Sequence, residues 1–161
     1  MALWTSARQG REALRLSHQA LDLIKQRTGA RTLTLVGHSG GGALAALLTS
    51  ERTDVTHLVT VAANLDLAQW TSHHGLSPQR ESYNPADRAH ALENQSQLHL
   101  VGGQDRVVPE ATARAFASHF PSVHRPPVEV VPPAEHEAGW VDAWRQRGAE
   151  WLGLDVKGSD R

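Results

Sequence analysis

Ser39 sits in Gly37-His38-Ser39-Gly40-Gly41, a G-x-S-x-G arrangement joining two runs of opposite character. Before it, residues 32–37 (TLTLVG) are β-branched and aliphatic; after it, residues 40–50 (GGGALAALLTS) are rich in Ala and Leu. A serine at the apex of so tight a strand-to-helix turn has its hydroxyl thrust outward, and small neighbours let strand and helix approach. The following N–H, from Gly40, then lies at a helix N-terminus, where a developing oxyanion is stabilised. The same glycines admit two other readings. Residues 40–45 (GGGALA) fit a relaxed G-x-G-x-x-A phosphate-binding turn, with Asp66 about twenty residues on. A structural turn with an idle serine is the third. A P-loop is excluded, because no Gly-Lys-Ser/Thr follows.

Two downstream residues separate these readings. A nucleophilic serine needs a base, and the base needs an orienting partner. In QLHLVGGQDRVVP, Asp105 comes four residues after Val101; in VEVVPPAEHEAGW, His136 comes five residues after Val131. Both follow short apolar runs, and the chain order is Ser, Asp, His. Loops at the carboxyl ends of parallel strands share one sheet edge, so the three can converge. A dinucleotide-binding turn leaves Asp105 and His136 without a role. Asp66 is the second candidate acid, and the Gly-containing turn favours Asp105.

The elements that position these residues follow from periodicity. Residues 6–28 carry Leu14, Leu16, Ala20, Leu21, Leu23 and Ile24 on one helical face, with Gly29 as the stop. Strands are predicted over 32–37, 57–62, 97–101 and 128–131, and helices over 40–50, 109–119 and 138–152. Pro109 suits a first-turn position. Strands alternating with helices, each strand a continuous apolar run, predict an α/β fold with a mostly parallel sheet of about four strands. A single domain over 1–161 is expected, with 65–95 as a long cap-like loop segment rich in His, Ser, Pro and Asn. The tail GLDVKGSDR reads as frayed. Trp140, Trp144 and Trp151 read as helix packing. His57, His90, His99, His119 and His124 are expected at the surface.

Composition closes off other chemistries. The 161-residue chain has a formal net charge of −1 and no basic stripe, which excludes a nucleic-acid footprint. With no cysteine there is no disulfide, thiolate nucleophile or Cys-based zinc site. The adjacent His73 and His74 lack any companion ligand pattern, so no metal and no organic cofactor is expected. No apolar run approaches the ~20 residues of a membrane span. The opening residues, MALWTSARQGREALRL, lack the apolar core of a signal peptide, making the cytoplasm the default expectation.

Over residues 6–152 the elbow, GGQDRVVP and the histidine loop together resemble the C-terminal half of the α/β-hydrolase superfamily. AANLDLAQW and SHHGLSPQRESYNPAD are similar to segments of compact bacterial serine hydrolases. The resemblance implies Ser39 as nucleophile, His136 as general base and acid, Asp105 as the residue orienting the imidazole, and Gly40 as one oxyanion donor. It implies a truncated fold lacking the N-terminal strands, and with them the loop that normally gives the second donor. His38, Asn64, Gln104 or a partner subunit are the replacements within reach. His38, at a position that often packs near the active site, and Trp70, a substrate-pocket wall or a loop anchor, are the expected substrate-binding residues. The expected substrate is a small carboxylic ester. The alternatives are an idle fragment serving as an interaction unit and, less favoured, a nucleotide-binding module. Strand 32–37, normally central, becomes a free apolar edge, so two-fold self-association through it is expected.

Overall fold

The computed structural model describes residues 9–154. Its elements are α1 (Arg11–Thr28), β1 (Leu33–His38), α2 (Gly40–Glu51), β2 (Val55–Val61), α3 (Leu67–His73), α4 (Ala89–Leu92), β3 (Ser96–Gly102), α5 (Glu110–Ser118), β4 (Val128–Val131) and α6 (Trp140–Ala143). A 3-10 turn over Pro85–Arg88 precedes α4, and α6 continues as a π-helical stretch over Trp144–Ala149. The four strands form one sheet in the order β1-β2-β3-β4, every pair parallel. The fold is therefore α/β with one four-stranded parallel sheet, as the alternation of elements predicts.

Strand periodicity divides the core. Leu35, Leu58 and Val101 face one side, where Leu14, the Ala/Leu surface of α2, Leu92 and Phe116 cover them. Val59, Val61, Leu98 and Leu100 face the other side, against Trp140, Trp144 and Trp151. Consecutive right-handed crossovers between neighbouring strands explain the first layer, since they place every connecting helix on one face. Among the described residues only the C-terminal helix covers the second face, and it leaves the β1 end bare. Val36, on that face, is 49% exposed, and a groove of about 730 Å³ runs beside it between Val61, Trp140, Val141 and Trp144.

Several boundaries and placements differ from the sequence-based expectation. The first helix starts at Arg11; residues 6–8 and the tail from residue 155 lie outside the described residues. Pro109 is the N-cap of α5, with extended backbone, and not a first-turn residue. Residues 64–94 carry α3, the 3-10 turn and α4, held by shared capping. The Asn84 side chain accepts from Leu67 N at 2.9 Å and Ala86 N at 3.3 Å. His99 corrects the surface assignment made for it. It is fully buried in β3, where its Nδ1 lies 2.8 Å from Thr60 Oγ1 and its ring meets Phe116 edge-on. Burial, which penalises the charged imidazole, pushes its pKa down to about 3.

Candidate active site

The site begins with the close approach of β1 and α2. A Cβ on Gly37 would fall 2.4 Å from Gly41 O, and one on Gly42 would fall 2.5 Å from Ala63 Cβ. Only glycine fits at both positions, so backbone packs directly on backbone. Between them Ser39 takes φ 53, ψ −127, a left-handed conformation costing a non-glycine residue about 1–3 kcal/mol. Ser39 N–H donates to Val61 O at 2.9 Å, extending the parallel ladder, and Ser39 O accepts from Gly42 N at 3.0 Å, opening α2. The backbone on both sides is thus committed, and the hydroxyl is turned out at the carboxyl edge of the sheet. Gly40 N–H belongs to the first turn, whose donors a helix leaves without internal partners.

The other two residues meet that hydroxyl. His136 Nε2 lies 3.0 Å from Ser39 Oγ, and His136 Nδ1 lies 2.9 Å from Asp105 Oδ2. The Asp105 side chain has no exposed surface, and that of His136 is 14% exposed. Asp105 Oδ1 accepts from both Val107 N and Val108 N, each at 2.8 Å, so the turn that follows β3 fixes the carboxylate. The loop carrying His136 is tied to that turn by Gly103 N to Val131 O at 2.9 Å and Gln104 N to Ala134 O at 3.0 Å. His136 is also held from behind: its carbonyl accepts from His38 Nε2 at 2.7 Å and Trp140 Nε1 at 3.0 Å. Such an array can pass a proton from the hydroxyl to the imidazole while the carboxylate fixes the ring and its tautomer.

The remaining sequence candidates take other places. His38 braces His136 through its backbone, with ring centroids 5.0 Å apart. Trp70 donates from Nε1 to Val107 O at 2.7 Å, which anchors α3 to the turn after Asp105. Asp66 caps α3, accepting from Ala68 N and Gln69 N, with its other oxygen 3.4 Å from His119 Nε2. Gln104 lines a cavity of about 680 Å³ together with Asp105, Arg106, Val107, Glu135 and His136. Asn64 is buried with Oδ1 unpaired. Among the described residues no group of three His, Asp or Glu side chains is arranged to hold a metal ion. The structure adds two residues to the surroundings of the site. Trp140, read from the sequence as helix packing, doubles as a brace for His136, and Gln9, given no role by the sequence, packs against Gly40.

Comparisons with known proteins agree with this architecture. The family model for serine hydrolases (FSH1) matches residues 2–132, a span that includes Ser39 and Asp105 and ends before His136. No curated protein matches the chain. Among solved structures it is similar to an esterase from Pyrococcus furiosus, with 16% identity over 90% of this chain and 63% of that one, at a TM-score of 0.70. It is also similar to a monoacylglycerol lipase from Paleococcus ferrophilus, with 16% identity over 86% and 74% of the two chains, at a TM-score of 0.63. A protein described as a predicted CIB-like hydrolase from Thermoplasma acidophilum shares 17% identity over 87% of this chain and 56% of its own, at a TM-score of 0.56. At these identities the likeness establishes the fold. The chain thus spans little more than half the length of some of these structures.

Proposed function

Since the chain belongs to the serine hydrolase (FSH1) family, we propose that it cleaves carboxylic esters through an acyl-enzyme, with Ser39, His136 and Asp105 as the catalytic triad. The observation that carries this reading is the unbroken line from Ser39 Oγ through His136 to Asp105, with steps of 3.0 and 2.9 Å. His136 Nε2 takes the hydroxyl proton as Ser39 Oγ bonds to the ester carbonyl carbon. The carbonyl oxygen becomes an oxyanion facing Gly40 N–H. The tetrahedral intermediate collapses, the C–O bond to the alcohol breaks, and His136 returns its proton to the departing oxygen. Water then attacks the acyl-enzyme by the same route, releasing the acid and restoring Ser39. Ester chemistry is favoured because two of the fold neighbours are named as an esterase and a monoacylglycerol lipase. The helical segment between β2 and β3 is proposed as a short cap over the substrate.

Fluorophosphonate labelling and hydrolysis of a short-chain nitrophenyl ester test the reading. Both should be lost in Ser39→Ala and in His136→Ala. Turnover that survives Ser39→Ala would refute it. A second reading, in which the chain works as an assembly unit, is supported by the free edge of β1 beside its apolar groove. Absence of labelling in the wild-type chain would favour that reading.

A further inference from the structure

The G-x-S-x-G turn offers an oxyanion on Ser39 one donor, Gly40 N–H, whereas acyl-transfer sites commonly direct two at the same oxygen. The neighbours of Gly40 show what stands beside that donor. The carboxamide of Gln9 does: its Nε2 lies 3.4 Å from the position a Gly40 Cβ would occupy. A Cβ is about 2.5 Å from its own backbone nitrogen by standard bond geometry. Gln9 Nε2 therefore stands within about 6 Å of Gly40 N, the sum of those two lengths. Two donors each about 2.9 Å from a shared oxygen are separated by no more than about 6 Å. The separation lies within the span that one oxygen can bridge.

The state of the Gln9 side chain points the same way. Gln9 is only 4% exposed, and its Oε1 is buried with no partner. Among the described residues Nε2 has no acceptor either. A buried carboxamide oxygen without a partner is costly, and such groups in folded proteins call for an explanation. Its position is not incidental. Tyr83 N–H donates to Gln9 O at 3.1 Å, and Gly10 O accepts from Leu14 N at 3.1 Å at the start of α1. These bonds fasten the segment to the cap region on one side and to α1 on the other.

The other candidates are occupied or misplaced. His38 Nε2 is engaged by His136 O. Gln104 lies in the cavity on the Asp105 side of the imidazole. Asn64 has an unpaired Oδ1, yet it is Gln9 and not Asn64 that covers Gly40.

We infer that Gln9 Nε2 is the second oxyanion donor, acting beside Gly40 N–H. The inference rests on the ester-hydrolase reading above. It assigns to the segment before α1 a catalytic contact that nothing in the G-x-S-x-G turn itself supplies.

The test uses the whole chain, a short-chain nitrophenyl ester and an alkyl trifluoromethyl ketone, whose hemiketal oxyanion mimics the intermediate. Gln9→Leu should lower kcat about 10²–10³-fold with KM changed less than threefold. Affinity for the ketone should fall by a similar factor. The melting temperature should hold or rise, since the unpaired carboxamide oxygen is gone. Gln9→Glu, nearly isosteric but without the donor, should lose at least as much kcat. A Leu variant within threefold of wild-type kcat and ketone affinity overturns the inference while leaving the hydrolase reading intact. So does a Glu variant with wild-type kcat, which would make Gln9 a packing residue. Wild-type turnover that is absent, or indifferent to Ser39→Ala, overturns both.

Discussion

Asp105→Asn is the most telling substitution, because the structure dictates which way the new amide must point. Oδ1 of Asp105 receives two backbone N–H groups at 2.8 Å, from Val107 and Val108. An asparagine keeps both bonds only by placing its carbonyl oxygen there. Its NH₂ then replaces Oδ2, facing His136 Nδ1 across 2.9 Å. The reversed amide would set a donor against two donors. It would forfeit two hydrogen bonds, together about 2–3 kcal/mol, and so would be populated at no more than about 3%. The imidazole must then offer a lone pair at Nδ1, and its proton moves to Nε2, where it faces Ser39. A ring in that tautomer cannot accept the hydroxyl proton. The expected loss in kcat is about 10⁴-fold, or roughly 5.5 kcal/mol of transition-state stabilisation. The fold should be little affected, because both N–H groups stay satisfied. Asp105→Ala, in contrast, strips their acceptor and should cost about 1–3 kcal/mol for each buried donor. Ester hydrolysis and the rate of fluorophosphonate labelling measure the first effect; thermal melting measures the second. An Asn variant within tenfold of wild type, or one that melts as early as the Ala variant, would refute the argument.

Three further outcomes follow from other parts of the molecule. Gly42→Ala places a methyl 2.5 Å from Ala63 Cβ and 2.8 Å from Gly37 O; urea unfolding should show about 1–3 kcal/mol of destabilisation, with slower labelling of Ser39. His99 has its pKa lowered from 6.5 to about 3, so below pH 6.5 the unfolded chain binds a proton that the folded chain refuses. Stability is full above that pH and falls by about 1.4 kcal/mol per pH unit down to about pH 3. The double variant Thr60→Val/His99→Leu, which removes both hydrogen-bonding partners together, should flatten this limb in urea titrations between pH 8 and 4; an unchanged slope would count against it. Asp54, held well below the usual carboxylate range by its hydrogen bond with Arg52, loses stability in the same direction, starting nearer its ordinary value of 3.8. The free edge of β1 predicts a two-fold dimer at micromolar concentration by light scattering, and Val36→Lys on the bare face should shift it toward monomer.

Much of the sheet was legible because its strands are short and apolar, and because helices recur between them. His99 was not, for a physical reason. β3 is covered on both faces, by Phe116 on one and the C-terminal tryptophans on the other, so a polar residue in it is buried whichever way it points. Its partner Thr60 is 39 residues away on the neighbouring strand. The elements between β2 and β3 were hidden for a related reason. They are only four to seven residues long, and one capping side chain, Asn84, serves two of them across 17 residues. Gln9 gives no local signal at all, since its significance lies wholly in what it touches.

The two candidate acids show the limit of local chemistry most clearly. Asp66 gives Oδ1 to two backbone N–H groups, those of Ala68 and Gln69, and turns Oδ2 toward a histidine, His119. Asp105 gives Oδ1 to the N–H groups of Val107 and Val108, and turns Oδ2 toward His136. Residue by residue the two turns are the same device: a carboxylate fixed by its own backbone with one oxygen left for an imidazole. They differ in what surrounds the imidazole. The His119 side chain is 49% exposed and 3.4 Å away, whereas that of His136 is 14% exposed, 2.9 Å away, and braced through its carbonyl by His38 and Trp140. Low exposure strengthens the charge-assisted bond, and bracing removes the freedom that would otherwise blunt it. Only the second imidazole also has a serine hydroxyl at its far nitrogen. An aspartate–histidine pair is thus common property of turns at this sheet edge. What marks one of them as a candidate for catalysis is the third residue, set there by the strained backbone of the turn between β1 and α2.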